Sequence, residues 1–202
     1  MEVLKVYPGQ AAGRGIDRAV EALRQGDIII YPTDSVYALG CDALNQRAIE
    51  RLCRLKAINP DKNQLSVICS DISMAAEYAR IDNKAFRTIR HNVPGAITFI
   101  LPAATTLPKI FKGRKTVGIR IPDNDIPRAL AATLGHPVLT TSAVTDDPDD
   151  LRYAESVALH YDNAAVLAID GGECGTEGGT VVDLTDSADP RILRQGAVCF
   201  EE

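Results

Sequence analysis

The sequence predicts an α/β fold, a single domain in which a twisted open sheet, mostly parallel or mixed, carries helices packed on it. Short apolar runs rich in β-branched residues alternate with segments of helical periodicity along the chain. Apolar residues make up 46% of the 202 and charged residues 24%, a globular balance that supports a substantial core. The length fits one domain covering 1–202.

The elements follow in order. Ile16, Ala19, Val20 and Leu23 recur at helical spacing, and Gly26 follows as the C-cap. The run IIIY at 28–31 is continuous and apolar, the pattern of a buried strand. Pro32 has no N–H for a ladder, so that strand ends there and hands over to the polar turn Thr33-Asp34-Ser35. A second helix fits 46–56, with Ile49, Leu52 and Cys53 on one face, and 65–69 is another short buried strand. Asp71 and Asp82 are N-caps for the next two helices. Strands follow at 96–101, 116–121 and 138–141, separated by Pro/Gly breaks and a helix near 127–134. After the acidic stretch TDDPDD come a helix around 154–159 and strands at 166–169, 180–184 and 191–193.

Composition excludes several classes. No stretch approaches the roughly 20 consecutive apolar residues that span a bilayer. The N-terminus, MEVLKVYPGQ, lacks the basic-then-apolar layout of a secretory signal, so a cytoplasmic protein with no membrane partner is expected. Five cysteines form no CxxC pair, and an odd number cannot all pair internally; they read as buried thiols of a reducing compartment. His91, His136 and His160 are scattered without metal-ligand spacing, so no metal site is expected. The net charge of −5 hides an asymmetry: between Arg47 and Arg120 stand 14 Lys/Arg and 5 Asp/Glu, a net +9, against −14 elsewhere. Two readings stay open, solvated helix faces or a cleft that attracts the phosphates of nucleotide or RNA.

Six segments place hydroxyls or arginines in or beside strands. YPTDSVYALG (31–40) delivers two hydroxyls and a carboxylate at the end of a buried strand, the edge where open α/β sheets place ligands. Its bland reading is an Asx-turn in which Asp34 caps its own backbone. VPGAITFIL (93–101) puts Thr98 into a strand. TVGIRIP (116–122) sets Arg120 between β-branched neighbours, where a buried guanidinium needs a carboxylate or phosphate, unless it points outward to solvent. PVLTTSA (137–143) ends in Thr140, Thr141 and Ser142. GGTVVDLT (178–185) and ILRQGAV (192–198) supply Thr180 and Arg194. No GxxxxGK[ST] cradle and no nucleophile elbow accompany them.

In order and spacing these segments, with the basic tract from Arg54 to Lys62, resemble the YrdC family, which includes the threonylcarbamoyl-AMP synthases called TsaC and the branch called YciO. The resemblance runs from about Ile16 to the C-terminus. It implies an open sheet around a positively charged cavity, and a reaction joining ATP, L-threonine and bicarbonate into threonylcarbamoyl-AMP and pyrophosphate, for threonylcarbamoyl modification of tRNA. By motif, Thr33, Ser35 and Ser142 would bind the amino acid and Arg120 would clamp its carboxylate. Lys56, Lys62, Thr98, Thr140, Ser142, Thr180 and Arg194 would hold the nucleotide, with Lys56 and Arg120 as the catalytic cations. Mg²⁺ would arrive on ATP.

Three departures set this chain apart. Where the synthases carry K-x-R, Lys56 is followed by Ala57 and Ile58. Where they carry S-x-N, Ser142 is followed by Ala143 and Val144. Where they carry S-T, Gly179 precedes Thr180. PTDS with Ala38, and INPDKNQLSVIC (58–69), resemble the YciO branch. The resemblance therefore implies a nucleotide-binding protein of weak or altered synthase activity. The rival is a non-catalytic double-stranded RNA- or tRNA-binding protein of the YciO type, gripping phosphates with the basic segment.

Overall fold

The computed structural model describes every residue except Pro8, Asp61, Thr105, Lys112, Gly113, Arg114 and Glu202, and the side chain of Ile110. Two cations of the basic segment, Lys112 and Arg114, thus lie outside the described residues. The described strands are β1 (Glu2–Lys5), β2 (Ile29–Tyr31), β3 (Ala38–Asp42), β4 (Ser66–Ile68), β5 (Ile97–Pro102), β6 (Thr116–Arg120), β7 (Val138–Ser142), β8 (Leu167–Asp170), β9 (Thr180–Asp183) and β10 (Arg191–Arg194). They form one open sheet in the order β1-β8-β2-β3-β7-β4-β6-β5-β9-β10. The sheet is mixed, with parallel β1/β8, β2/β8, β4/β6 and β5/β9 among antiparallel neighbours.

The helices are α1 (Arg14–Arg24), α2 (Gln46–Leu55), α3 (Ile72–Tyr78), α4 (Asn83–Asn92), α5 (Asp125–Leu134) and α6 (Ala154–His160). Their ends are chemically specified. Asp71 accepts from the Met74 N–H and Asp82 from those of Lys84 and Ala85, as their sequence positions predict. Gly135, at φ +86°, closes α5 in the left-handed region that a Cβ disfavours.

Two strands were not legible in the chain. β1 is a four-residue edge paired only with β8. β3 arises because the segment after Ser35 turns back and pairs antiparallel with β2, Tyr31 opposite Ala38 and Ile29 opposite Gly40.

The helices divide unequally between the faces. α2, α3, α4 and α6 pack on one face, burying Ile30, Leu39, Val67, Phe99, Ile119 and Leu139. α1 and α5 pack on the other, against Ile29, Tyr31, Ala38, Ile68 and Val138. Side chains alternate strictly across a sheet, so pairing register fixes which residues share this second face. Beyond the reach of α1 and α5 it continues through Thr140, Ser66, Gly118 and Ile100, and through Arg120, Thr98 and Val181.

Candidate ligand site

That uncovered stretch is floored by small side chains. Gly40 pairs with Thr140, Thr140 with Ser66 and Ser66 with Gly118, a row crossing β3, β7, β4 and β6. A Cβ at Gly118 would lie 2.3 Å from Ser66 Oγ and 3.0 Å from Thr98 Cγ2, and one at Gly40 2.6 Å from the Tyr31 ring. The glycines therefore let neighbouring hydroxyls and rings close in at floor level. Ser66, Thr98 and Ser142 are half-buried, and Thr140 receives a 2.7 Å hydrogen bond from the Tyr31 hydroxyl. Burial pushes the Tyr31 phenol well above its usual range, so it stays protonated and donates.

Arg120 ends β6 on the same face, beside Thr98, and is 7% exposed. The outward-facing, solvated alternative is thereby excluded. Its Nη2 donates to Asp34 Oδ1 at 2.5 Å, to Ser35 Oγ at 2.8 Å and to Thr33 Oγ1 at 3.4 Å. The other Asp34 oxygen accepts from the Asp123 N–H at 2.6 Å. The carboxylate thus serves Arg120 and the entry to α5. The Ser35 N–H is capped instead by Thr33 Oγ1 at 3.1 Å, and that hydroxyl donates to the Val36 carbonyl at 2.7 Å. Arg120 Nε is buried with no hydrogen-bond partner. Arg152 Nε is likewise buried without a partner, so the feature is not peculiar to Arg120.

Beside this cluster Cys174 donates to the Thr33 carbonyl at 3.3 Å, and burial raises its thiol to about 11. The thiol is therefore a weak donor there at neutral pH, not a thiolate.

The structure places the other expected residues in separate surroundings. Thr98, Thr140 and Ser142 lie on the open face with Arg120. β6 and β7 do not end at a common edge, so what unites these groups is a face of the sheet. Thr180, fully buried on the opposite face, accepts from the Gly196 N–H at 2.9 Å and donates to the Val198 carbonyl, so its hydroxyl fastens the C-terminal segment. Arg194 is exposed and grips the Gly179 carbonyl through Nε and Nη2, at 3.2 and 2.8 Å. Lys56 caps α2 and donates to the Tyr161 hydroxyl at 3.2 Å; Lys62 is exposed beyond it. Asp34, Ser66, Gly40 and Gly118 lie inside the quoted segments without having been given these places, and Tyr161 lies outside them. An alternating small-polar pattern in neighbouring strands was the one signal available for the floor.

Among the described residues no group of three His, Cys, Asp or Glu could hold a metal ion, and no helix is long and apolar enough to cross a membrane.

Fold and site together define an α/β protein with a hollow of hydroxyls and glycines, closed at one side by a buried arginine. The Sua5/YciO/YrdC family model, described as telomere recombination, matches residues 21–196. The chain belongs to this family. YciO of Escherichia coli strain K12 is 38% identical over 194 residues, spanning 95% of this chain and 93% of that protein. The crystal structure of E. coli YciO superposes with a TM-score of 0.90 at 36% identity, over 98% of each chain. The threonylcarbamoyl-AMP synthase of Bacillus subtilis strain 168 is 32% identical over 191 residues, 93% of this chain but 55% of the synthase. P. abyssi Sua5, solved in complex with L-threonine, superposes at a TM-score of 0.85 and 28% identity, over 98% of this chain and 58% of that one. The chain spans little more than half the length of both.

Proposed function

We propose that the hollow binds a small amino-acid carboxylate of the L-threonine class beside an ATP site, and that the chain forms threonylcarbamoyl-AMP more slowly than its synthase relatives. The observation that carries this reading is the buried Arg120 guanidinium, set beside Thr98 and a floor of glycine, serine and threonine. A ligand carboxylate would meet that positive charge, and a charge-assisted hydrogen bond is strong and directional. The L-threonine complex of P. abyssi Sua5 supports the same ligand class.

In the proposed reaction, the neutral amine of threonine attacks the carbon of bicarbonate, a C–O bond breaks, and the oxygen leaves as water with the amine proton, giving a carbamate. An oxygen of the resulting carbamate attacks the α-phosphorus of ATP, the bond to the β-phosphate oxygen breaks, and pyrophosphate leaves. This chain's part is to orient the amino acid at Arg120, Thr33 and Ser35, and to hold the nucleotide with Thr98, Thr140, Ser142 and Lys56. Mg²⁺ carried on the phosphates would neutralise charge there. The groups missing at Ile58 and Val144 account for the slower rate, at roughly 1.5–3 kcal/mol per contact to a charged group.

The test incubates the chain with Mg-ATP, L-threonine and bicarbonate and measures the acyl-adenylate by mass spectrometry. A melting temperature raised by ATP and raised again by L-threonine is the expected companion result. No product and no shift at millimolar ligand overturns the reading.

A second reading, binding of double-stranded RNA or tRNA by shape and phosphate contacts, is favoured by Lys84, Arg87, Thr88 and His91, which line one recess along α4. Its affinity should fall steeply with salt and weaken alike on all sequences when Lys84 and Arg87 are reversed to Glu. Salt-independent affinity rules it out.

A further inference from the structure

Tyr161 follows α6 as its C-cap and is 7% exposed. Its hydroxyl accepts from the Val144 N–H at 3.1 Å, donates to the Val144 carbonyl at 2.9 Å and accepts from Lys56 Nζ at 3.2 Å. A phenol offers one donor and two acceptor sites, so these bonds use its whole capacity. The ammonium lies off the hydroxyl end of the ring, with Nζ 5.7 Å from its centroid, and the ring is held edge-on by His160 at 4.8 Å.

No carboxylate among the described residues pairs with Lys56. Its hydrogen-bond partner is a neutral hydroxyl, which fixes the ammonium without cancelling its charge. The surrounding cavity, about 680 Å³, lies between the end of α2, the end of α6 and Val144. Lysine normally samples many rotamers, and an ammonium held in place beforehand meets an anion without that ordering cost. The Val144 side chain is 59% exposed, so position 144 enters this arrangement through its backbone.

We propose that Tyr161 is a positioning residue: it anchors the Lys56 ammonium to the end of β7 so that its uncancelled charge meets the phosphate chain of a nucleotide. The proposal rests on the nucleotide reading above. Tyr161 needs no side-chain nitrogen at 58 or 144, which is how an anion site persists where the synthases' arginine and asparagine are absent.

The test is calorimetric titration of wild type, Tyr161→Phe, Lys56→Gln and the double variant with Mg-ATP, with tripolyphosphate and with adenosine. Phenylalanine keeps the ring and its packing while removing the hydroxyl. Tyr161→Phe should weaken ATP and tripolyphosphate about tenfold, a difference of about 1.4 kcal/mol, and leave adenosine unchanged. In the Lys56→Gln background the same change should do nothing further, because its effect runs through the ammonium. Tripolyphosphate binding without ATP binding by wild type, with Tyr161→Phe still tenfold weaker, removes the nucleotide reading and keeps the role of Tyr161. ATP bound equally by wild type and Tyr161→Phe removes the role and keeps the reading, as does an equal loss for adenosine, which marks a purely structural effect. Wild type binding neither ATP nor tripolyphosphate overturns both.

Discussion

Arg120 Nη2 stands 2.5 Å from Asp34 Oδ1, although Asp34 follows β2 and Arg120 ends β6, four strand steps away in the sheet. Each step turns the strands by roughly 20–25°, so over four steps the rotation approaches a right angle. The twist brings the turn after β2 round to the end of β6, and the ion pair closes the hollow between them. Both side chains are 8% exposed. Asp34, Ser35 and Thr33 all meet Arg120 through Nη2, so the turn after β2 and the end of β6 are joined at one nitrogen.

Breaking this pair from one side should be expensive. Arg120→Gln leaves Asp34 with the Asp123 N–H alone, and an uncompensated buried charge costs about 3–5 kcal/mol. Urea unfolding should register that loss, and L-threonine should no longer raise the melting temperature of the variant. Arg120→Lys keeps the charge without the planar fork, so stability should recover in part and the threonine effect should not. Wild-type stability in Arg120→Gln contradicts the assignment.

The floor is tested by filling it. Gly118→Ala places a Cβ 2.3 Å from Ser66 Oγ, an overlap expected to cost about 1–3 kcal/mol. Adding Ser66→Ala removes the nearest clashing atom and should restore much of the stability. The methyl of residue 118 still stands in the hollow, so the ligand-induced thermal shift should stay reduced in the double variant. A double variant that recovers stability and the full shift together shows that the floor does not touch ligand.

How much of this was written in the chain depends on the range of the interaction. α1, α2 and the caps of α3 and α4 were legible because spacing and capping are local; Asp71 and Asp82 bond within three residues of themselves. Arg120 announced itself by sitting between β-branched neighbours, and its need for an anion was readable. That the anion is Asp34 was not, because 86 residues and a sheet twist separate them. β3 was missed because Ala38-Leu39-Gly40-Cys41-Asp42 holds no β-branched residue and takes its strand form from β2 and β7 on either side. Thr180 looked like its fellow strand threonines. Only register shows that it faces the other layer, opposite Ile97, where the C-terminal segment covers it.

Alkaline pH should destabilise the fold before any ligand is considered. Burial raises the thiols of Cys41, Cys53 and Cys69 above their usual range and Cys174 to about 11, and raises the Tyr31 and Tyr37 phenols. The unfolded chain releases those protons first, so it binds fewer than the native state as pH rises. Stability present below the unfolded thiol range, about 8.5, is therefore lost as pH climbs toward the folded values. Urea midpoints should fall steadily from about pH 8.5 to 10.5. Thiol titration at pH 8 should label exposed Cys199 first and the three buried thiols only on unfolding. A midpoint flat across that interval contradicts the burial of these groups.

Restoring the two missing synthase groups should raise rate more than affinity, and the structure gives the two substitutions different costs. Val144 is 59% exposed and bonded through its backbone, so Val144→Asn adds an amide without disturbing the Tyr161 hydroxyl or Lys56. Ile58 is partly buried against the core, and Ala57 before it holds φ +51°, so Ile58→Arg gives up packing in an already constrained turn. The Ile58→Arg variant should therefore melt lower than wild type, and Val144→Asn should not. Groups that meet charge developing on the phosphates in the transition state lower the barrier, whereas groups that bind ground and transition states equally alter apparent affinity alone. The double variant should form threonylcarbamoyl-AMP about tenfold faster in single turnover, equivalent to roughly 1.4 kcal/mol of barrier. Either single change should give less, because a guanidinium and an amide on one phosphate chain act together. The measurement compares wild type, both singles and the double at saturating ATP and L-threonine, below the melting point of the least stable variant. A double variant that binds ATP normally and reacts no faster shows that these two positions do not limit acyl-adenylate formation, and directs the next substitution to Asp34, the carboxylate paired with Arg120.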